Sequence, residues 1–252
     1  MKTLKFVAIE ALIVAQVFAV AASAQTTSEA TSKPAASAWM STPTPYLDWN
    51  KDISASARAE RNKFWDEASM SPVPLTQPGS GRVVGGSYDM AWDRFEISDV
   101  VKDRAVLTAT FTGHRSVLTS SERSLYTEVT LRVDQVFEDR TGTGHPTANH
   151  DVTLILYGGT VILRNSQAFS VDNPGAQSEL FIQPEHKYLF VLRYENAGDF
   201  YTLVDDWDIS DGTVRANSVR AQFFVQEHTS ALNGLTVEQL GPALDKLLYG
   251  HK

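Results

Sequence analysis

The chain has 252 residues, a formal net charge of −8 and no cysteine. The negative charge argues against a nucleic-acid partner, because phosphates require a basic face, and against anionic lipid surfaces. Without cysteine the fold has no disulfide and no thiolate to act as a nucleophile or metal ligand.

Residues 1–24 have the pattern of a secretory signal peptide. Lys2 and Lys5 form a positive start, an apolar run covers residues 6–20, and residues 22–24 (Ala-Ser-Ala) form a small-residue exit. The alternative is a membrane anchor, but the run is shorter than the roughly 20 residues needed to span a bilayer. We expect cleavage after Ala24, which takes the net charge from −8 to −9 by removing two lysines and Glu10. The mature chain is then periplasmic or extracellular, with no membrane span.

Residues 25–53 are predicted to be a disordered leader and residues 54–86 a helix with a linker. The leader is rich in Ser, Thr, Ala and Pro, and such a stretch cannot bury enough apolar surface to offset the entropy of ordering it. The helix begins after Ser54, a good N-cap, and ends at Ala68 before two prolines. Its apolar residues cluster near its end, so we expect only its last turns to pack.

Residues 87–218 are predicted to be a β-domain, because apolar and polar residues alternate along them. The odd positions of Leu125–Phe137 are mostly apolar and the even positions mostly polar, which is typical of a strand with one buried face. About seven short strands, without a helix between them, predict an antiparallel OB-like barrel or a sandwich. We expect the following residues in its core: Val129, Leu131, Val133, Leu189 and Val191.

Two glycine-containing sites are expected to shape this domain. Gly158-Gly159 interrupts apolar sequence and predicts a bulge or sharp bend. Asp211-Gly212 predicts a tight hairpin turn, since such a turn needs positive φ angles.

Residues 219–252 are predicted to be a helical C-terminal extension. Leu240, Leu244 and Leu248 lie on one face of a helix, and Thr236 with Gln239 can form a capping box. Pro242 predicts that the helix kinks or starts at this point.

The densest acidic group gives a candidate metal site at Asp206, Asp208 and Asp211. Clustered carboxylates suit calcium, but the spacing does not match an EF-hand loop. We favour the alternative that these residues belong to a solvated hairpin rich in turn-forming Asp. His145 and His150 share a loop around Pro146, but no third ligand is near in sequence, so a specific metal site is not expected there. No cofactor is implied.

The aromatic residues of the late strands give a candidate binding face, formed by Tyr188, Tyr194, Tyr201 and Trp207. Exposed rings on a barrel would bind sugar, peptide or a protein partner. The alternative is that most of these rings belong to the core of a barrel that has no disulfides.

The strand pattern resembles the netrin-like module, the OB-type barrel of metalloproteinase inhibitors and complement C-terminal domains. The resemblance is carried by Asp99–Val101 leading into Ala105–Phe111, by Tyr126–Phe137 and by Pro184–Val191. It implies an OB-type barrel. The inhibitors chelate the protease zinc through an N-terminal cysteine, which this chain lacks, so inhibition is not implied. The pattern also resembles uncharacterised exported bacterial proteins, which implies no activity.

These observations together favour an exported, non-catalytic binding or interaction module of the cell envelope. Its partner would be an envelope protein or a glycan. The competing hypothesis is an exported hydrolase whose carboxylates come from separate strands. No catalytic residue can be assigned from the sequence motifs alone.

Overall fold

The chain folds mainly as β-strands, with two helices. The structure is a computed structural model. It describes residues 38–52, 54–68, 74, 76, 104–142, 145–171, 182–217 and 231–250. The predicted signal peptide and most of the predicted linker lie outside these residues. The strands are β1 (Thr44–Pro45), β2 (Arg104–Leu118), β3 (Leu125–Asp139), β4 (Asp151–Tyr157), β5 (Gly159–Ile162), β6 (Ala168–Val171), β7 (Lys187–Glu195), β8 (Phe200–Asp208) and β9 (Arg215–Ala216). The helices are α1 (Ala55–Ala68) and α2 (Val237–Tyr249).

Five strands form a ring-like sheet in the order β2, β3, β4, β8, β7 and back to β2. Neighbouring strands are antiparallel except β4 and β8, which run parallel where Leu154 lies beside Tyr201. This last pairing closes the ring and leaves its strands without an open edge there. β9 extends the sheet from β8, and β1, β5 and β6 form a second small sheet.

The period-2 pattern places its apolar residues where the sequence predicts. Val129, Leu131 and Val133 point into the ring and are fully buried with Phe111 and Leu154. Leu189 and Val191 are also fully buried, but they lie in a second cluster with helix α2. The five predicted core positions are therefore confirmed.

A glycine pair allows the change in chain direction between β4 and β5. The pair Gly158-Gly159 separates β4 from β5, as the sequence predicts. Gly159 has φ +131°, and a Cβ atom there would lie 2.3 Å from Thr127 Oγ1. The backbone can follow this path only because no side chain is present.

Helix α2 covers one outer face of the ring. Leu240, Leu244 and Leu248 are buried against Val106 and Trp207. The Thr236 backbone N–H donates to Gln239 Oε1 at 3.0 Å, in keeping with the predicted capping. Pro242 lies inside the helix, which begins five residues before it.

The segment before α1 differs from the predicted leader. Within residues 38–52, the side chains of Trp39, Met40 and Leu47 are buried. Trp39 Nε1 donates to the carbonyl oxygen of Ile182 at 2.6 Å, and its ring lies 4.9 Å from that of Phe111. Averaged over residues 25–53, the composition is dominated by Ser, Thr, Ala and Pro, and it does not reveal these few apolar residues. The part of the predicted leader within residues 38–52 therefore contributes side chains to the core.

Helix α1 also packs through more than its last turns. Arg58, Arg61 and Asn62, in its middle, are each at most 7% exposed. Arginine is rarely buried without a partner. Both arginines have one in Glu128 of β3, which the helix sequence alone does not reveal.

Candidate binding cleft

Two loops meet at one end of the ring. The β3–β4 loop leads into the start of β4, and the turn 196–199 leads into the start of β8. Because β4 and β8 run parallel, these two starts lie at the same end of the sheet. The ring closure therefore brings together loops that lie about 50 residues apart in the sequence.

A cavity of about 290 Å³ lies between these loops and is named here the tyrosine cleft. Its size is near the lower limit of small-ligand sites, roughly 300–1,000 Å³. The lining residues are His145, Pro146, Thr147, His150, Asp151, Val152, Thr153, Asp199 and Tyr201. The lining combines an aromatic ring, two imidazoles and two carboxylates, which is a set suited to polar ligands.

Tyr201 lines the cleft, and Tyr194 packs against it. Their ring centroids are 5.1 Å apart, and the Tyr194 hydroxyl donates to Asp199 Oδ1 at 2.9 Å. Burial raises the pKa of both hydroxyls, and the carboxylate of Asp199 raises both further. The two tyrosines therefore stay neutral at any physiological pH and can act only as hydrogen-bonding and apolar groups.

Asp199 is held in position by helix α1. Its φ of +50° is in the left-handed region, which is uncommon for residues other than glycine, although aspartate adopts it more readily than most. Arg61 Nη2 donates to the Asp199 carbonyl and Arg61 Nε to the Gly198 carbonyl, both at 2.7 Å. A Cβ atom on Gly198 would lie 2.7 Å from the Phe200 ring, so this turn admits little variation.

The histidine-bearing wall of the cleft is fixed by Asp139 at the end of β3. His145 Nδ1 lies 2.5 Å from Asp139 Oδ2, and Thr141 donates two hydrogen bonds to Oδ1 of the same carboxylate. Burial alone would raise the pKa of Asp139, but the hydrogen bonds from Thr141 and His145 outweigh it and lower the pKa. Asp139 is therefore ionised at neutral pH.

Asp151 is the third carboxylate at the cleft, after Asp199 and Asp139. Arg132 Nε lies 2.5 Å from Asp151 Oδ1, and Arg132 Nη1 donates to the Asn149 carbonyl at 3.1 Å. Asn149 has φ +66°, a left-handed conformation that suits asparagine, so this arginine contacts the turn that leads into β4. The pKa shifts of the groups around the cleft keep Tyr194 and Tyr201 neutral and Asp139 charged at neutral pH.

Of the four aromatic residues predicted for binding, only two lie at the cleft or against it. Tyr201 lines the tyrosine cleft with the 3% of its surface that is exposed, and Tyr194 packs against it without lining the cavity. Tyr188 is fully buried inside the ring, and its hydroxyl accepts a hydrogen bond from the Gln183 backbone at 2.7 Å. Trp207 is buried on the outer face beneath α2. The last two therefore present no ring to a ligand.

The three acidic residues weighed as a metal site each have a partner of their own. Asp206 accepts from Asn217, Asp208 lies 3.2 Å from His186 Nδ1, and Asp211 pairs with Arg215. Over the parts of the chain that the structure describes, no group of three or more His, Asp or Glu residues could hold a metal ion. Asp206 is only 1% exposed, so the prediction that it belongs to a solvated hairpin is wrong for this residue.

Sequence reasoning misses the carboxylates of the cleft. Asp139, Asp151 and Asp199 belong to no motif: Asp139 ends β3, Asp151 begins β4 and Asp199 directly precedes β8. One available signal is the turn 196–199, where an aspartate comes directly after a glycine and before the Phe-Tyr of β8. It becomes informative only once the β4–β8 pairing is known.

The chain matches no known family model and has no significant match among curated proteins. Within the described residues, neither helix has the length and apolar character required to cross a membrane.

Proposed function

We propose that the protein is an exported, non-catalytic binding module that holds the end of a glycan in the tyrosine cleft. The observation that carries the proposal is the Tyr194–Tyr201 pair beside the Asp199 carboxylate. The cleft around this pair offers carboxylate, imidazole and hydroxyl groups that can form hydrogen bonds with a polar ligand.

The proposal includes an OB-type barrel of the netrin-like kind. Its support is the ring order, in which the first of the five strands pairs with the fourth and the third pairs in parallel with the fifth. This is the connectivity of a five-stranded Greek-key barrel, and OB barrels bind oligosaccharides as well as oligonucleotides. The net charge of −8 favours the sugar over the nucleic acid.

The charged residues of the cleft restrict which sugars can bind there. Asp151 and Asp199 line it, and Asp139 stands behind His145. Carboxylates accept hydrogen bonds from sugar hydroxyls and ammonium groups, and they repel carboxylates and phosphates on a ligand. The expected ligand is therefore a neutral sugar or an amino sugar.

Export is supported by the charged start, apolar run and small-residue exit of residues 1–24. The test is N-terminal sequencing of protein recovered from the periplasm or the medium of expressing cells. The sequence should begin at Gln25. Recovery of the intact chain, from Met1, in the membrane fraction would contradict export by cleavage.

The glycan proposal is tested by presenting the mature chain to neutral, amino and acidic glycans of cell envelopes. Saturable binding to a neutral or amino sugar is expected, and Asp199→Asn should weaken it at least tenfold. Asp245→Asn is the matched control, because it removes an exposed carboxylate on α2, outside the cleft. Binding to acidic glycans alone, or equal binding by both variants, would contradict the proposal.

A hydrolase is the second candidate, and one observation favours it. The pair formed by His145 and Asp139 at 2.5 Å is the arrangement in which a carboxylate orients a catalytic imidazole. An envelope-derived glycan or ester substrate that the mature chain cleaves, with the rate lost in His145→Ala, would replace the binding proposal with this one.

A further inference from the structure

The tyrosine cleft is lined by two carboxylates, and only one of them is neutralised by a positively charged side chain. Asp151 forms two contacts with Arg132, at 2.5 and 3.2 Å. In the part of the chain that the structure describes, the exposed carboxylate of Asp199 receives only the uncharged hydroxyl of Tyr194, at 2.9 Å. The cleft therefore presents an unbalanced negative charge at Asp199.

Arg61 approaches Asp199 but does not neutralise its carboxylate. The guanidinium donates to two backbone carbonyls of the turn and to Glu128 Oε1, each at 2.7 Å. Arg58 shares Glu128 and also lies 2.5 Å from Asp52. These two arginines and two carboxylates are each at most 12% exposed, and their charges cancel. The buried charge group of α1 therefore leaves the negative charge of Asp199 uncompensated.

The two histidines of the cleft have a fixed tautomer while they are neutral. His145 Nδ1 lies 2.5 Å from the ionised carboxylate of Asp139. His150 Nδ1 lies 3.2 Å from the carbonyl oxygen of Ala148. Both of these oxygens can only accept a hydrogen bond, so the proton of each neutral ring is on Nδ1. The other ring nitrogen, Nε2, is then a hydrogen-bond acceptor in both histidines.

A cleft with these acceptors favours a ligand group that donates hydrogen bonds and carries positive charge. An ammonium group has three N–H donors and no acceptor. Its hydrogen bonds to a carboxylate are charge-assisted, which makes them about twice as strong as bonds between neutral groups. A hydroxyl in the same place has one donor and no charge. An acetamido group adds a carbonyl oxygen, for which the carboxylate of Asp199 offers no donor.

We propose that the cleft binds a sugar with a free amino group, and that the ammonium of this sugar pairs with the Asp199 carboxylate. The Tyr194 hydroxyl holds Oδ1 of this carboxylate, so Oδ2 receives the ammonium. Asp199 is then the residue that determines specificity. The inference rests on the proposed glycan function and narrows its ligand from neutral and amino sugars to amino sugars alone.

The test compares three tetrasaccharides that share a β-1,4-linked backbone and differ only at position 2 of each ring. They are the tetramers of glucosamine, N-acetylglucosamine and glucose, which carry an amino, an acetamido and a hydroxyl group. Calorimetric titration of the mature chain near neutral pH should show that the glucosamine tetramer binds at least tenfold more tightly than the other two. Tetralysine carries the same number of side-chain amino groups without a sugar, and it should bind at least tenfold more weakly than the glucosamine tetramer.

Asp199→Asn removes the charge of the site and keeps its shape. Asparagine retains an oxygen for the Tyr194 hydroxyl and tolerates a left-handed backbone, so the variant should unfold in urea like the wild type. Its affinity for the glucosamine tetramer should fall at least tenfold more than its affinity for the glucose tetramer. Asp245→Asn, which removes an exposed carboxylate on α2, is the control and should keep the preference of the wild type.

The possible failures separate this inference from the glycan function on which it rests. Equal affinity for the three sugars, with Asp199→Asn weakening all of them alike, would refute the inference and leave the glycan function standing. Tighter binding of the acetylated or the glucose tetramer would have the same meaning. Tetralysine that binds as tightly as the glucosamine tetramer would refute both, because the cleft would then recognise an ammonium group without a sugar. Absence of binding to the glucosamine tetramer would refute the inference whatever other glycans bind.

Discussion

Arg61 Nη2 donates a 2.7 Å hydrogen bond to the carbonyl oxygen of Asp199, whose carboxylate receives the Tyr194 hydroxyl in the tyrosine cleft. The same guanidinium binds Gly198 and Glu128. One buried side chain thus connects helix α1, the outer face of β3 and a wall of the cleft.

Arg61→Ala is expected to lower the free energy of unfolding by about 2–3 kcal/mol, since it removes buried hydrogen bonds to a charged group and to two carbonyls. Urea denaturation measures this loss. Lys63→Ala is the matched control, because it removes an exposed cation from the same helix and should change stability by less than about 0.5 kcal/mol. Equal effects of the two substitutions would mean that the Arg61 contacts carry no stability.

Gly212→Val should destabilise the fold through its backbone alone. Gly212 has φ +83°, and no atom lies within 4 Å of a Cβ built there, so the left-handed conformation is the only obstacle. The free energy of unfolding is expected to fall by at least about 1–2 kcal/mol. Gly113→Val is the control, since Gly113 has equal space and no positive φ. A thermal melt in which both variants unfold alike would contradict the turn assignment.

Calcium should leave the melting temperature unchanged. Asp208 accepts from the Ser210 backbone at 2.8 Å, and Asp211 accepts from the Thr213 backbone at 3.0 Å, so these carboxylates serve the turn. A cation that bound only the folded state would raise the melting temperature by mass action. A rise with calcium that Asp208→Asn abolishes would establish a site in this hairpin.

Tyr126 should make stability fall at high pH. Burial, helped by the charge of Glu128, raises the pKa of Tyr126 from 10.0 to about 12. The stability that this tyrosine contributes is therefore fully present below pH 10 and is lost as the pH rises toward 12. A rise in pKa of two units corresponds to a stability contribution of roughly 3 kcal/mol.

The measurement compares wild type and Tyr126→Phe in urea denaturation at several values between pH 8 and pH 12. Other tyrosines also contribute to the alkaline loss, but only the difference between the two proteins belongs to Tyr126. The wild type should lose more stability than the variant in this interval. Parallel pH profiles would show that Tyr126 ionises equally in the folded and unfolded states.

The strands could be predicted from the sequence because their signal is local. Leu131 lies between polar neighbours in Leu125–Phe137, and this alternation alone defines a buried face. The ring could not be predicted, since its closure joins Leu154 to Tyr201, and no local pattern specifies which strands meet. The burial of Trp39 against Phe111 could not be predicted, because small and polar residues and proline dominate the composition of the sequence around it.

The candidate site followed the same rule. Tyr194 lies two residues before the turn 196–199, and Tyr201 lies two residues after it. Both could therefore be identified from the sequence as aromatic residues of adjacent strands. Asp139 and His145 converge with them only through the closed ring. Arg61 could not be assigned any role, because its partners Glu128, Gly198 and Asp199 are 67 to 138 residues away.

The most direct test of the account is a calorimetric titration of the mature chain with the glycan selected by the screen, beside Tyr194→Phe, Asp199→Asn and the control Asp245→Asn. The account predicts one site per chain in the wild type and the control, with affinity reduced at least tenfold in Asp199→Asn and reduced also in Tyr194→Phe, whose hydroxyl no longer holds the carboxylate. Unchanged affinity in both cleft variants would place the ligand elsewhere and contradict the account.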